Sequence, residues 1–440
     1  MLRSVIAMAV SPTPGLARSI HQWDLVALVI NGVIGAGIFG LPSKVFGLAG
    51  DYSLFAFGVC AICVAVIVLS FAEVGSRYSG SGGPYLYARE TYGPVVGFTV
   101  GWLVWMARVT SFAANCSLLP EYLDLFFPGA SSGIARACII TGVVGTLAVV
   151  NVIGVRSVAD ANNVLAIGKL LPLAVFVAAG LFSLRSVFLN PGAFSFAVLP
   201  HYRSFSQSVL LLAYAFTGFE MAVIPAGEIR DPQRILPRAL LIGMGTVVTF
   251  YILIQVVCIG TLPGLAASTR PLADAAARFL GTGGAAMITI GIVISLAGNL
   301  NVLILAASRI VFAMAERDEL PRRLAAVHSR YRTPAASVLA TVAVMLVLTL
   351  SGTFLSLLTL STLSRLVTYL VTCSALPVLR RRTGAPPAGF LLPGGVAIAA
   401  LGVALSVWLL SNSTLREARD TSIAAAAGLS IYFLNAKLKK

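Results

Sequence analysis

The sequence predicts an all-α polytopic membrane protein of about twelve transmembrane helices. Apolar runs of 18 or more residues recur from end to end, each long enough to cross a bilayer. The chain is 58% hydrophobic and its mean hydropathy is +0.93, above the roughly 45–50% apolar content of soluble domains. Only 11% of residues are charged, less than half of the roughly 25% usual in soluble domains.

In chain order the spans fall at 25–48, 53–75, 95–119, 134–154, 161–184, 206–229, 236–262, 284–314, 334–351, 353–378, 390–410 and 421–436. The first carries "NGVIGAGIFGLP", Asn31 to Pro42. Glycine costs a helix interior about 1 kcal/mol relative to alanine, and proline about 3. Backbone groups inside a membrane go unpaired only where they line protein or a water-filled cavity. A break at Gly35–Gly37 exposes N–H groups that attract an anion and carbonyls that attract a cation. Close helix packing through small residues is the other reading of the same glycines. The sixth span is also interrupted, in "AYAFTGFEMAVIPAGE", Ala213 to Glu228. Glycine-interrupted spans at corresponding places in two halves point to a transporter site. Spans one and six correspond if helices 1–5 and 6–10 are inverted repeats.

The formal charge is +15, and its placement matters more than its size. Arg317, Arg322, Arg323, Arg330 and Arg332 share one connection, and Arg380, Arg381 and Arg382 another, both on the side of the termini. The positive-inside rule makes that side cytoplasmic. Membrane lipids are the expected partner of this charge, and nucleic acid is not needed to explain it. Cys60 and Cys63 form a C-x-x-C with no second pair, so no zinc site follows. No metal, nucleotide or other cofactor is expected. "SVIAMAV" after Arg3 is too short for a signal peptide. A membrane enzyme is not expected, for want of intramembrane histidines, paired aspartates or a nucleophile with its base.

Three ionisable residues lie deep in spans: Arg108, Lys169 and Glu220. Such residues cost at least about 2.5–3.5 kcal/mol on insertion, and by default they are functional or paired. Lys169 lies too deep to snorkel easily. Glu220 has two readings, as a proton carrier or as a cap on backbone N–H groups. Arg108 is expected to pair with Glu220, which would neutralise both. Asn299 and Asn301 are expected to face the core. Glu73 and Arg77 read as a solvated surface pair, with contacts at the inner gate as the alternative, and Glu228, Arg230, Asp231 and Arg234 lie at the inner mouth.

"NGVIGAGIFGLP", "SGSGGPYLYARETYG", "AFTGFEMAVIPAGEIRDPQRILPRAL" and "SRIVFAMAERDELPRRLAAVHSRYRTPAAS" resemble the signatures of the amino acid–polyamine–organocation permeases. They occur in that family's order and spacing. The resemblance implies a LeuT-like five-plus-five inverted repeat with discontinuous helices 1 and 6. Residues 1–24 would be a cytoplasmic segment, 25–184 the first repeat, 206–378 the second, and 390–440 two further helices with a short tail. "SGSGGPYLY" would be a re-entrant connection beside the inner gate.

The resemblance also implies the site. The substrate carboxylate would lie at the N–H groups of Ala36 and Gly37, after Gly35. The amine would face carbonyls near Val33 and from Tyr214 through Ala215 and Phe216 to Thr217, before the Gly218 break. Tyr214 would cover the substrate, and Arg108 would line the side-chain end of the pocket. Lys169 matches a lysine that stands where sodium-coupled relatives hold an ion, bridging spans one and eight; loss of its proton would mimic departure of the ion. The expected function is secondary transport of amino acids across the cell membrane, proton-coupled and sodium-independent, with both termini cytoplasmic. Exchange, polyamine transport and a transport-inactive sensor are the alternatives. At about 4 Å and an effective dielectric near 20, like charges repel by about 4 kcal/mol, close to a thousandfold in affinity. Neutral amino acids are therefore expected to be preferred, acidic ones next, and cationic ones last. The oligomeric state is not readable.

Overall fold

The computed structural model describes residues 18–123, 127–153, 155–184, 199–351, 354–413 and 415–438. The "SVIAMAV" stretch and most of the connection after the fifth expected span lie outside them. The described residues are helical throughout, apart from turns and one isolated parallel bridge between Ile20 and Ile229. We number the helices α1 (Gln22–Val33), α2 (Ala36–Ala49), α3 (Ser53–Gly75), α4 (Pro84–Tyr92), α5 (Pro94–Leu123), α6 (Gly133–Ile153) and α7 (Val155–Ser183). They continue as α8 (Tyr202–Phe216), α9 (Pro232–Thr261), α10 (Pro271–Glu316), α11 (Ala335–Ser351), α12 (Phe354–Arg381), α13 (Gly395–Ser411) and α14 (Leu415–Leu438).

Among the described residues, seven helical segments are long and apolar enough to cross a membrane, and three shorter apolar helices accompany them. This is an integral membrane protein, and its outer surface agrees. Val164, Ile167 and Leu171 form one exposed stripe of α7, at 70%, 68% and 64% exposure, while Lys169 is fully buried. In water that stripe would be costly; against lipid it is the expected face.

Around the broken pair α1 and α2 pack α7, α8, α9 and α10, while α13 and α14 lie outside, against α12, α3 and α5. At 46 residues α10 is far longer than the ~20 residues of a span. Gly281, at φ 65° and ψ −162°, divides it. The conformation suits glycine alone among common residues, and the stretch after it overlaps the expected eighth span. Span six departs from expectation. After α8 it continues not as a second α-helix but as turns, with 3₁₀ segments at Phe219–Met221 and Ala226–Glu228.

Ion pairs tie together the end of the bundle that carries the N-terminal segment. The Ile20 N–H donates to the Glu228 carbonyl, and the Arg230 N–H to that of Ile20. Arg309 closes on the Glu228 carboxylate, and Arg89 on Glu319. Burial, and then its hydrogen bond to Glu319, pushes the Tyr85 phenol well above its usual range, so it stays a donor. Glu73 and Arg77 correct the surface-pair expectation. Both are buried, because Glu73 also accepts from Arg380 and from the Leu392 N–H.

Candidate functional site

The first break lies where the glycines predict it. Helix α1 stops at Val33, Ile34 and Gly35 are non-helical, and α2 restarts at Ala36. The first N–H groups of α2 have no partner within the helix. The α1 carbonyls, by contrast, are occupied. The Asn299 amide donates to the Asn31 and Gly32 oxygens at 3.0 and 2.8 Å. The Tyr251 hydroxyl reaches Val33 O at 3.2 Å and Ala215 O at 3.1 Å. The carbonyl pole expected to receive an amine near Val33 is thus partly taken by protein donors. A carbonyl has two lone pairs, and Gly32 and Val33 both line the cavity.

The second break faces the first. Helix α8 ends at Phe216, Thr217 is extended, and Gly218 has φ 119°. The Thr217 hydroxyl caps the Tyr214 carbonyl at 2.7 Å. Gly32 and Gly218 mark the crossing of the two breaks: a Cβ on Gly32 would lie 2.8 Å from the Gly218 oxygen. Gly37 is equally confined, since its Cβ would lie 3.0 Å from both Cα and Cβ of Ala215.

Between the breaks lies a small cavity. Of the expected site residues it is lined by Val33, Gly35, Gly37, Tyr214, Ala215 and Thr217. The Tyr214 hydroxyl donates to the Asn115 side-chain oxygen at 3.3 Å, and the Asn115 amide to that of Asn299 at 2.6 Å. Phe216 turns away from the cavity into an aromatic contact with Tyr251. Gly218 lies at the crossing.

Lys169 is buried against the end of α1, its Nζ 2.7 Å from Ile34 O and 3.4 Å from Asn31 O. The bridge to span eight is indirect. Ser295 of α10 donates to the same Ile34 oxygen at 3.0 Å.

Arg108 requires a correction. It does not line the cavity. It is fully buried behind it, with Nη2 2.8 Å from Glu220 Oε1. The guanidinium that does line the cavity is Arg365. Its Nη1 donates to the Thr217 hydroxyl and its Nη2 to Ser111 at 2.8 Å. Its Nε lies 3.7 Å from Glu220 Oε1. Glu220 Oε2 accepts from the Gly218 N–H at 2.9 Å and the Tyr369 hydroxyl at 2.7 Å. Glu220 therefore both caps the break and pairs with arginine. Phe71, Phe219 and Tyr369 pack edge to face or tilted around this cluster.

Sequence reasoning missed Arg365, Arg309 and Gly32. The signal for Arg365 was available: it stands mid-span in "LSTLSRLVTYL", among Ser361, Thr362 and Ser364. A charge with three hydroxyls in one turn or two marks a helix face turned away from lipid.

A family model described as amino acid permease matches residues 20–431. The chain belongs to that family. This permease is similar to the serine/threonine exchanger SteT of Bacillus subtilis, 27% identical over 95% of the chain and 97% of the relative. The branched-chain amino acid permease BcaP of the same organism is 25% identical over 97% and 94%. An uncharacterized transporter of Mycobacterium tuberculosis is 29% identical over 89% and 87%. The family and these relatives are transporters, not enzymes, and amino acid transport is the activity they support.

Proposed function

We propose that this permease is a secondary transporter that carries amino acids lacking a cationic side chain through the cavity between the two breaks. The observation that carries the reading is the meeting of both breaks on one small polar cavity. An anion-seeking helix start and cation-seeking carbonyls lie together there. The α-carboxylate rests on the Ala36 and Gly37 N–H groups, and the amine on carbonyls of Gly32 and Val33. Sodium is not required, because Lys169 donates to the carbonyl oxygens at the end of α1. A proton on Lys169 takes the ion's part. Twelve spans in a five-plus-five inverted repeat, with both termini cytoplasmic in the cell membrane, complete the reading.

A thermal-shift screen of purified protein against all amino acids and common polyamines tests it, since a ligand stabilises by RT ln(1 + [L]/Kd). One or more amino acids should raise the melting temperature without sodium, and polyamines should not. Gly37→Val should remain folded and lose that response, because its side chain meets Ala215. A response confined to polyamines, or one that requires sodium, overturns the reading. An unchanged response in Gly37→Val removes the first break from the site.

A further inference from the structure

The second candidate subsite is the far wall of the cavity, where the charges do not balance. Two guanidinium groups, Arg108 and Arg365, share the single carboxylate of Glu220. All three are buried, Arg365 at 4% exposure and the others at 0%. Glu220 Oε2 is already occupied by Tyr369 and the Gly218 N–H.

Among the described residues, no further carboxylate pairs with either arginine. The other buried acids among the described residues are Glu73, Glu228 and Glu319. Glu73 is held by Arg77 and Arg380, Glu228 by Arg309 and Glu319 by Arg89. Glu73 also faces two arginines, but Arg380 is 22% exposed and reaches water. Arg365 has only the cavity.

An uncompensated buried charge is costly, and an entering counter-charge relieves that cost. The geometry of Arg365 allows one. A guanidinium carries five N–H donors. Arg365 Nη1 and Nη2 each give one bond to a neutral hydroxyl that also lines the cavity, Thr217 and Ser111. Each nitrogen keeps a second N–H. Two such donors on adjacent nitrogens suit a carboxylate bidentately. Gly37 and Arg365 line the same cavity, which puts a donor for an α-carboxylate and donors for a side-chain carboxylate in one space.

We propose that the side-chain end of this cavity is a carboxylate subsite built on Arg365, and that the permease prefers acidic amino acids to their neutral isosteres. This rests on the amino acid permease reading and reverses the order of neutral before acidic expected from the sequence. Arg365 binds the substrate; Arg108 is a positioning residue that occupies Glu220 and so leaves Arg365 to the cavity.

Isosteric pairs test it on the intact protein. In proteoliposomes, aspartate should compete with asparagine, and glutamate with glutamine, at concentrations lower by about tenfold to a hundredfold, the range of a charge-assisted hydrogen-bond pair. Arg365→Gln should lose that preference, and Arg365→Lys should keep part of it. If Arg365→Gln does not fold, the wild-type comparison decides alone. Amides or serine competing better than the acids overturns the proposal while leaving the permease reading standing. No competition by any amino acid removes the permease reading itself.

Discussion

Two buried ion-pair centres use the same residue types at the same depth of burial and differ in their count. Near the N-terminal segment, one arginine meets one glutamate. Arg309 Nε lies 2.8 Å from Glu228 Oε1 and its Nη2 3.4 Å from Oε2. A backbone bridge to Ile20 seals the pair. At the second break, two arginines meet one glutamate, and one of the two opens onto the cavity. The balanced pair has nothing left to bind and holds elements together. The unbalanced cluster holds the break in place and turns a guanidinium toward the cavity. Count, rather than burial, separates a structural contact from a recognition site.

The largest effect should come from unbalancing the balanced pair. Arg309→Ala leaves Glu228 buried without its counter-charge, which costs about 3–5 kcal/mol. A steep drop in melting temperature, or loss of folded protein in detergent, is the expected result. The double variant Glu228→Gln with Arg309→Met should recover most of it. If the single variant melts like the wild type, this pair does not hold the elements together.

Balancing the unbalanced cluster should do less. Arg108→Met leaves Glu220 with Arg365 alone, a one-to-one pair, so the loss of stability should be smaller than in Arg309→Ala. Arg365 should then turn toward Glu220, and the preference for acids over amides should shrink by roughly tenfold. Melting temperatures and isostere competition on the same preparation read both effects. A stability loss equal to that of Arg309→Ala would contradict the distinction between the two centres.

The smallest effect is assigned to Tyr214→Phe. It removes one long hydrogen bond, 3.3 Å to Asn115, worth about 1 kcal/mol or less. Substrate affinity should fall by no more than about tenfold. A complete loss of binding would mean that the tyrosine hydroxyl touches substrate directly.

Much of this is legible in the sequence. Glycine and proline mark both breaks because an interrupted helix in lipid has to be compensated locally, and that compensation is written within a dozen residues. Arg108 and Glu220 were legible as partners because unpaired charges in lipid are rare. The rest depends on contacts between residues far apart in the chain. Arg365 meets Ser111 across 254 positions, and Ser361 meets Ser111 across 250; no local period reports such a pairing. Arg309 was hidden for another reason. It lies near the end of its span, where an arginine ordinarily reaches the interface, yet Glu228 draws it inward. The 3₁₀ turns after Gly218 were not legible either, since the apolar composition of that stretch suits a helix equally well.

A structure of the permease with L-aspartate bound tests the central claim most directly. The α-carboxylate should lie at the Gly37 N–H, at the start of α2, and the side-chain carboxylate across Nη1 and Nη2 of Arg365, with Arg108 still on Glu220. Aspartate outside the cavity, or inside it with its side chain turned away from Arg365, would contradict the account.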